Sequence, residues 1–299
     1  MFSYNASLIK ARLKDSEKTL IEKLSFTLDR GEKLAIVGET GSGKTITALS
    51  IMGLLPKNII ADYKMSLETF DGKVLVNKEI FKALGKDIVY IPQNGLEALS
   101  NFRSVRKHLY DSLILNGCKN NKLEAEAYSL LSQVGFSEVE KVIDLYPFEL
   151  SGGMAQKVTI ALALASNPSV IIADEPTNGL DRENRGTFIK LLESLDAAKI
   201  IITHDISLCE MMDKIIILKD GFVMESGEAK EVLSSPKCEY TKALSNALCQ
   251  NGMKETPVIR NENKCCPFYS RCEKGCTECI SVSLQGGINH SWRCINGWS

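Results

Sequence analysis

Apolar positions along the chain gather into short solid runs, with helical spacing between them. Lys33-Leu34-Ala35-Ile36-Val37 lies between Gly31 and Gly38, and so short a run predicts a strand covered on both faces, as in a parallel sheet. Val170 to Ala173 and Lys199 to Thr203 read the same way, each followed by polar residues suited to a site. Lys214 to Lys219 ends at the turn pair Asp220-Gly221 and continues as Phe222-Val223-Met224, which predicts a hairpin. Lys73 to Val76 and Asp87 to Ile91 are also extended in pattern. Helical spacing runs from Thr45 to Leu55 and is stopped by Pro56. A second helical region, about 105 to 145, carries its apolar face on Leu109, Leu113, Leu123, Ala127, Leu130, Leu131 and Val134, broken at Gly117 and Gly135. Strands alternating with helices imply an α/β core divided by a helical insertion. After about Pro236 the pattern gives way to a Cys-, Gly- and Ser-rich tail.

Composition narrows this picture mainly by exclusion. The 299 residues permit one large or two modest domains, and a formal net charge of -1 argues against a broad nucleic-acid surface. No apolar run approaches the ~20 residues that a spanning helix requires. The opening Met1-Phe2-Ser3-Tyr4-Asn5 has no charged leader, so the expected location is the cytoplasm or the cytoplasmic face of a membrane. Six of the ten cysteines crowd into the tail, at Cys265, Cys266, Cys272, Cys276, Cys279 and Cys294. In a reducing compartment such a group suits metal ligation better than disulfides.

The chemistry begins where the first buried strand ends. Gly38-Glu39-Thr40-Gly41-Ser42-Gly43-Lys44-Thr45 fits G-x-x-x-x-G-K-[ST]. Its glycines let the backbone curl so that successive N–H groups face a phosphate, Lys44 neutralises charge on the β- and γ-phosphates, and the Thr45 hydroxyl is placed to ligate Mg²⁺. The helix dipole behind the loop also favours anions. Asp174 ends the apolar run Val170 to Ala173, where a carboxylate can serve the Mg²⁺ shell, and Glu175 is next in line to polarise the attacking water.

Leu150-Ser151-Gly152-Gly153-Met154-Ala155-Gln156 resembles the LSGGQ-type signature of ATP-binding cassette (ABC) transporter ATPases, with Met154 where glutamine is commoner. The resemblance spans roughly residues 5 to 245. It implies a P-loop ABC ATPase core with a mixed sheet, over residues 1–235, with a helical subdomain at about 95–165. In the family, the helix opened by Ser151, Gly152 and Gly153 faces the γ-phosphate held by a second subunit. Gln93 resembles the glutamine that senses Mg²⁺ and the membrane partner, Asn178-Gly179-Leu180-Asp181 the loop that crosses the dimer interface, and His204 the switch histidine.

The stretch after Thr45 and the Met154 variant look like the first of two ATPase subunits in peptide and nickel importers. The tail, residues 236–299, resembles the cysteine-bearing extension of oligopeptide and dipeptide importer ATPases, with Cys266, Cys272, Cys279 and Cys294 on the pattern. In some members these cysteines hold a [4Fe-4S] cluster, and four thiolates suit zinc as well; Cys265 and Cys276 fall outside the pattern. The implied partners are a second homologous ATPase, two membrane permeases and, indirectly, an extracytoplasmic binding protein. The implied function is ATP hydrolysis that powers peptide import, with nickel or metal–chelate import as the alternative and a non-transport ABC ATPase as a more distant one.

Three positions depart from the family pattern. Lys10 to Asp15 has no aromatic residue to stack on adenine, which leaves Leu13 or Arg12 against the base, or Phe2 or Tyr4 folded over it. The segment Asn94 to Phe102 lacks the proline common after the glutamine, and Lys157 stands where arginine is usual.

Overall fold

Each solid apolar run becomes a strand in the computed structural model, which describes residues 1–13, 16–177, 182–246, 266–281, 283–287 and 289–298. The first half of the chain forms β1 (Phe2–Arg12), β2 (Glu17–Leu28), β3 (Lys33–Val37), α1 (Lys44–Ile51), β4 (Ile59–Glu68), β5 (Val74–Val76) and β6 (Ile88–Ile91). Helices follow: α2 (Gly95–Ala98), α3 (Val105–Leu115), α4 (Leu123–Gln133), α5 (Val139–Val142) and α6 (Gly152–Leu164). Next come β7 (Val170–Asp174), α7 (Arg182–Ser194), β8 (Ala198–Thr203), β9 (Lys214–Lys219) and β10 (Phe222–Glu228). The chain ends with α8 (Ala229–Ser234), α9 (Glu239–Asn246), β11 (Gln285–Gly286) and β12 (His290–Trp292).

Two compact units emerge. One holds residues 2–28, 32–66 and 202–299, and the other holds Met1, residues 29–31 and residues 67–201. In the first, β3 runs parallel to β9, from Leu34 beside Lys214 to Val37 beside Ile217. The predicted hairpin forms: β9 and β10 are antiparallel around Asp220 and Gly221, both at positive φ. One edge of β10 is shared. Phe222 meets Glu22 of β2, while Glu225 to Gly227 pair with β12 from the tail. Beyond β2 lies antiparallel β1, and β4 borders β1. These outer strands are half-buried and read by alternation: Phe2, Tyr4 and Ala6 face the core while Ser3 and Asn5 do not.

Helix α1 is shorter than its apolar spacing predicts. It ends at Ile51 because Gly53 adopts φ 66, with Gly53 N–H donating to Ser50 O and Leu54 N–H to Leu49 O. That is a Schellman cap, complete before Pro56 is reached.

In the second unit β6 and β7 are parallel, Ile88 beside Val170 and Ile91 beside Ala173, with β8 the next neighbour of β7. All five residues of β7 are buried. The helical face expected from sequence is the buried one: Leu109, Leu113, Leu123, Ala127, Leu130, Leu131 and Val134 all lie inside. The breaks at Gly117 and Gly135 are left-handed turns after α3 and α4. Arg106 grips both oxygens of Asp144, at 2.7 and 3.0 Å, and so ties α3 to the segment after α5. Among the described residues no helix is long and apolar enough to cross a membrane.

Candidate functional site

The phosphate loop grows out of the buried end of β3. Its two outer glycines are required by their surroundings: a side chain on Gly38 would collide with the Leu218 carbonyl of β9. At Gly43, with φ 106, a first side-chain carbon would sit 2.5 Å from Ile21 Cδ1 and 2.8 Å from Leu20 O. Within the loop Ser42 N–H donates to Glu39 O at 3.2 Å, and Gly221 N–H donates to Ser42 O at 2.9 Å. The buried Lys44 folds back over the loop, its Nζ 2.6 Å from Gly38 O and 3.0 Å from Glu39 O. Thr45 stands exposed on the first turn of α1. Thr40 and Gly41 complete the loop, with Gly41 at φ 82.

Glu39 is more deeply engaged than an unspecified motif position suggests. Its carboxylate meets Lys219 Nζ at 2.9 Å and Arg271 Nη1 at 2.7 Å, and its N–H donates to the Tyr240 hydroxyl at 3.3 Å. Burial favours the protonated acid, but the Lys219 and Arg271 hydrogen bonds and charges outweigh it and hold the carboxyl below its ordinary value.

His204, in the same unit, follows β8 directly and is exposed. The backbone after it is fixed. Asp205 N–H donates to Thr203 Oγ1 at 3.0 Å, and Ser207 N–H donates to Asp205 Oδ1 at 2.9 Å.

The other unit holds Gln93, Ser151, Asp174 and Glu175. Asp174 closes β7 and Glu175 follows at φ 46, both nearly buried. A left-handed glutamate is costly for a residue with a Cβ, and such strain gathers at functional sites. Tyr90 donates its hydroxyl to Asp174 Oδ2 at 3.3 Å, and burial with the Asp174 charge pushes the phenol pKa upward, so Tyr90 remains a donor.

Gln93 is exposed just beyond β6 and Pro92. Its neighbours anchor it to α6: the buried Gln156 donates Nε2–H to Pro92 O at 3.1 Å, and Gly95 lies so close to Ala155 that no side chain fits. Ser151 caps α6 by accepting the Met154 N–H at 3.3 Å, and open space surrounds Gly152. Lys157 donates to Gly135 O at 2.9 Å and lies 5.1 Å above the Phe136 ring, so this charge is spent on holding the helical insertion. Residues 178–181 lie outside the described residues.

Phe2 and Tyr4 are ruled out as adenine contacts, because both are core residues. The Tyr4 ring lies 6.0 Å from Tyr63 and its hydroxyl 2.6 Å from Ser50 Oγ. Arg12 and Leu13 are exposed; Lys14 and Asp15 fall outside the described residues.

In the tail, Cys266, Cys272, Cys279 and Cys294 line a single pocket together with Cys238. Phe268, Tyr269 and Ile295 supply apolar walls. Among the described residues no three His, Cys, Asp or Glu side chains converge closely enough to hold a metal ion. A hydrogen bond from Cys238 draws the Cys294 thiol down to about 6, while burial pushes Cys272 up to about 11. Cys276 Sγ lies 3.7 Å from Cys279 Sγ, and Cys265 is outside the described residues. His290 is taken by carboxylates, with Nε2 2.7 Å from Glu225 Oε1 and Nδ1 3.1 Å from Glu231 Oε1.

Sequence motifs singled out residues 38–45, Gln93, Ser151, Asp174, Glu175 and His204. They gave no sign of Tyr90, Gln156, Glu39's partners or Cys238, whose contacts come from distant parts of the chain.

The comparisons with known proteins agree with this geometry. The family model described as "ABC transporter" matches residues 21–178. The oligopeptide transport ATP-binding protein OppD of Haemophilus influenzae is 33% identical over 300 residues, covering 94% of this chain and 92% of that protein. The metal-staphylopine import system ATP-binding protein CntD of Staphylococcus aureus is 32% identical over 235 residues, 77% of this chain and 87% of its own. The ATP-binding cassette MJ0796, solved as a dimer in a post-hydrolysis state with ADP and Pi, superposes with a TM-score of 0.66 at 24% identity, over 77% of this chain and 99% of that one. A phosphate loop on a parallel strand, a serine-capped signature helix and a buried Asp-Glu strand end therefore stand in a protein that belongs to the ABC transporter family, an ATPase of the ATP-binding-cassette fold.

Proposed function

We propose that this chain is the ATP-hydrolysing subunit of a peptide importer, with a division into an ATPase domain (1–235) and a cysteine-bearing extension (236–299). The observation that carries the reading is the likeness to OppD over nearly the whole chain, tail included, together with an intact catalytic set. Residues 38–45 hold the triphosphate through backbone N–H groups and Lys44, and Thr45, Asp174 and Gln93 would hold Mg²⁺, which neutralises charge developing on the phosphates. Glu175 polarises the attacking water and His204 holds the γ-phosphate. Ser151, Gly152 and Gly153 present a helix N-terminus to the nucleotide of a second, homologous ATPase. Closure of that pair drives two permeases from the cytoplasmic face of the membrane, and hydrolysis reopens it.

Glu175→Gln tests the assignment. Mg·ATP binding should persist while hydrolysis is nearly abolished and an ATP-bound dimer accumulates in size-exclusion chromatography; normal turnover would overturn the role of Glu175. The likeness to CntD favours a second reading, import of a metal chelate. Stimulation of the assembled transporter's ATPase by peptide or by a metal chelate decides between them.

The four tail cysteines are the proposed ligands of a [4Fe-4S] cluster, with zinc as the alternative. What supports this reading is that all four line one pocket beside Cys238, with Phe268, Tyr269 and Ile295 as apolar walls, and that thiolates are the ligands such groups take. Anaerobic purification with visible spectra and iron, sulfide and zinc analysis tests it, and a colourless protein free of metal would overturn it.

A further inference from the structure

A carboxylate in a phosphate-binding loop is an electrostatic liability. Glu39 is the second residue of the loop, and left bare it would repel a triphosphate. Two cations instead occupy its two oxygens. Lys219, at the end of β9, takes Oε2 at 2.9 Å, and Arg271, from the cysteine-bearing tail, takes Oε1 at 2.7 Å. The main chain is held as well: Glu39 N–H donates to Tyr240 Oη, and the Tyr240 ring packs against Phe268 with centroids 5.3 Å apart. The Arg271 guanidinium lies 5.8 Å from that same Phe268 ring. Glu39 O is in turn one of the two carbonyls that Lys44 touches. Phe268 and Arg271 sit between Cys266 and Cys272, in the segment that walls the thiol pocket.

We infer that the cysteine-bearing tail is a working part of the nucleotide site, with Arg271 a positioning residue that neutralises Glu39 and fixes the phosphate loop for ATP. The inference rests on residues 38–45 being the loop that holds the phosphates. Arg271 and Glu39 are each about one-third exposed, 32% and 35%, so solvent screening keeps the effect moderate. By reciprocity, what the tail does for the nucleotide, the nucleotide does for the tail.

The test uses the full chain and Mg·ATP at low ionic strength. Arg271→Gln should raise the Kd and KM for Mg·ATP about three- to fivefold, with kcat changed by less than about twofold. Arg271→Lys should keep most of the affinity, because Glu39 needs a cation more than a fork. Adding Glu39→Gln to Arg271→Gln should recover most of the loss, since no bare carboxylate remains. A merely structural tail would show no such rescue, because the double variant leaves the tail equally undocked. Hydrogen exchange across residues 266–279 should slow on adding Mg·ATP to the wild type. Unchanged affinity in Arg271→Gln, a double variant as weak as the single, or tail exchange indifferent to nucleotide would each overturn the inference. Lys44→Ala, run in parallel, separates the two readings: undiminished ATP binding there would sink the phosphate-loop assignment itself.

Discussion

Tyr90 is a residue that no motif names, yet it holds the carboxylate at the end of β7. Its hydroxyl bond to Asp174 constrains a group that is only 5% exposed. Tyr90→Phe removes that donor and should lower the unfolding free energy by about 1–2 kcal/mol in urea titrations. It should also raise the Mg²⁺ concentration needed for half-maximal hydrolysis, because Asp174 loses one fixed partner. No change in either measurement would mean that the phenol does not position the carboxylate. Glu39 offers a pH prediction at the same scale. Its folded pKa lies below the ordinary 4.5, so its ion pairs contribute stability above about pH 4.5 and lose it as pH falls through the folded value. The stability difference between wild type and Arg271→Gln should therefore be present at pH 7 and shrink as pH falls below 4.5. Motif residues such as Lys44 and Ser151 were legible because each belongs to a short motif of fixed spacing. Tyr90 and Arg271 were not, since their partners lie 84 and 232 positions away.

Helices and strands show a different limit. The buried strands and the helical face were readable because a single period runs through each. β1, β2 and β4 were missed because their alternation is diluted by partly buried polar residues such as Lys10, Thr19 and Ser66. Alternation with one wet face is the normal signature of an antiparallel edge, and a search for solid apolar runs passes over it. The end of α1 was misplaced for a related reason: Pro56 is a visible stop, but Gly53 ends the helix three residues earlier. Two glycines on either side of the α2–α6 contact make a paired prediction. At Gly95 a first side-chain carbon would lie 2.7 Å from Ala155 C and Gln156 N, backbone that cannot yield. Gly95→Ala should thus cost about 1–3 kcal/mol of stability and shift the Gln93 segment. Gly152→Ala meets nothing within 4 Å, so its melting temperature should stay near wild type. If the α6 N-terminus faces a partner's nucleotide, Gly152→Ala nevertheless slows hydrolysis in the assembled pair. A stable Gly152→Ala with full activity argues against that interface.

At the scale of the whole chain, the sequence shows the tail only as a breakdown of periodicity after about Pro236, which reads as an appended module. The structure makes its described residues part of the loop-bearing unit. β12 completes an edge of β10, Arg293 donates to Val223 O at 3.3 Å, and His290 reaches the fully buried Glu225. The last two of these pairings span 70 and 65 residues and leave no local pattern to read. They also decide how metal loading should register. Binding to the folded thiol pocket stabilises by mass action whatever unfolds together with it. A separate module would add its own small melting transition and leave the main one untouched. A tail woven into β10 and the phosphate loop should instead move the main transition of the full chain upward on anaerobic loading with iron and sulfide. Cys272→Ser, which removes a buried thiol from the pocket wall, should abolish that shift. Calorimetry of loaded and metal-free protein reads the difference directly, and a shift confined to a minor early transition would mean that the tail unfolds on its own.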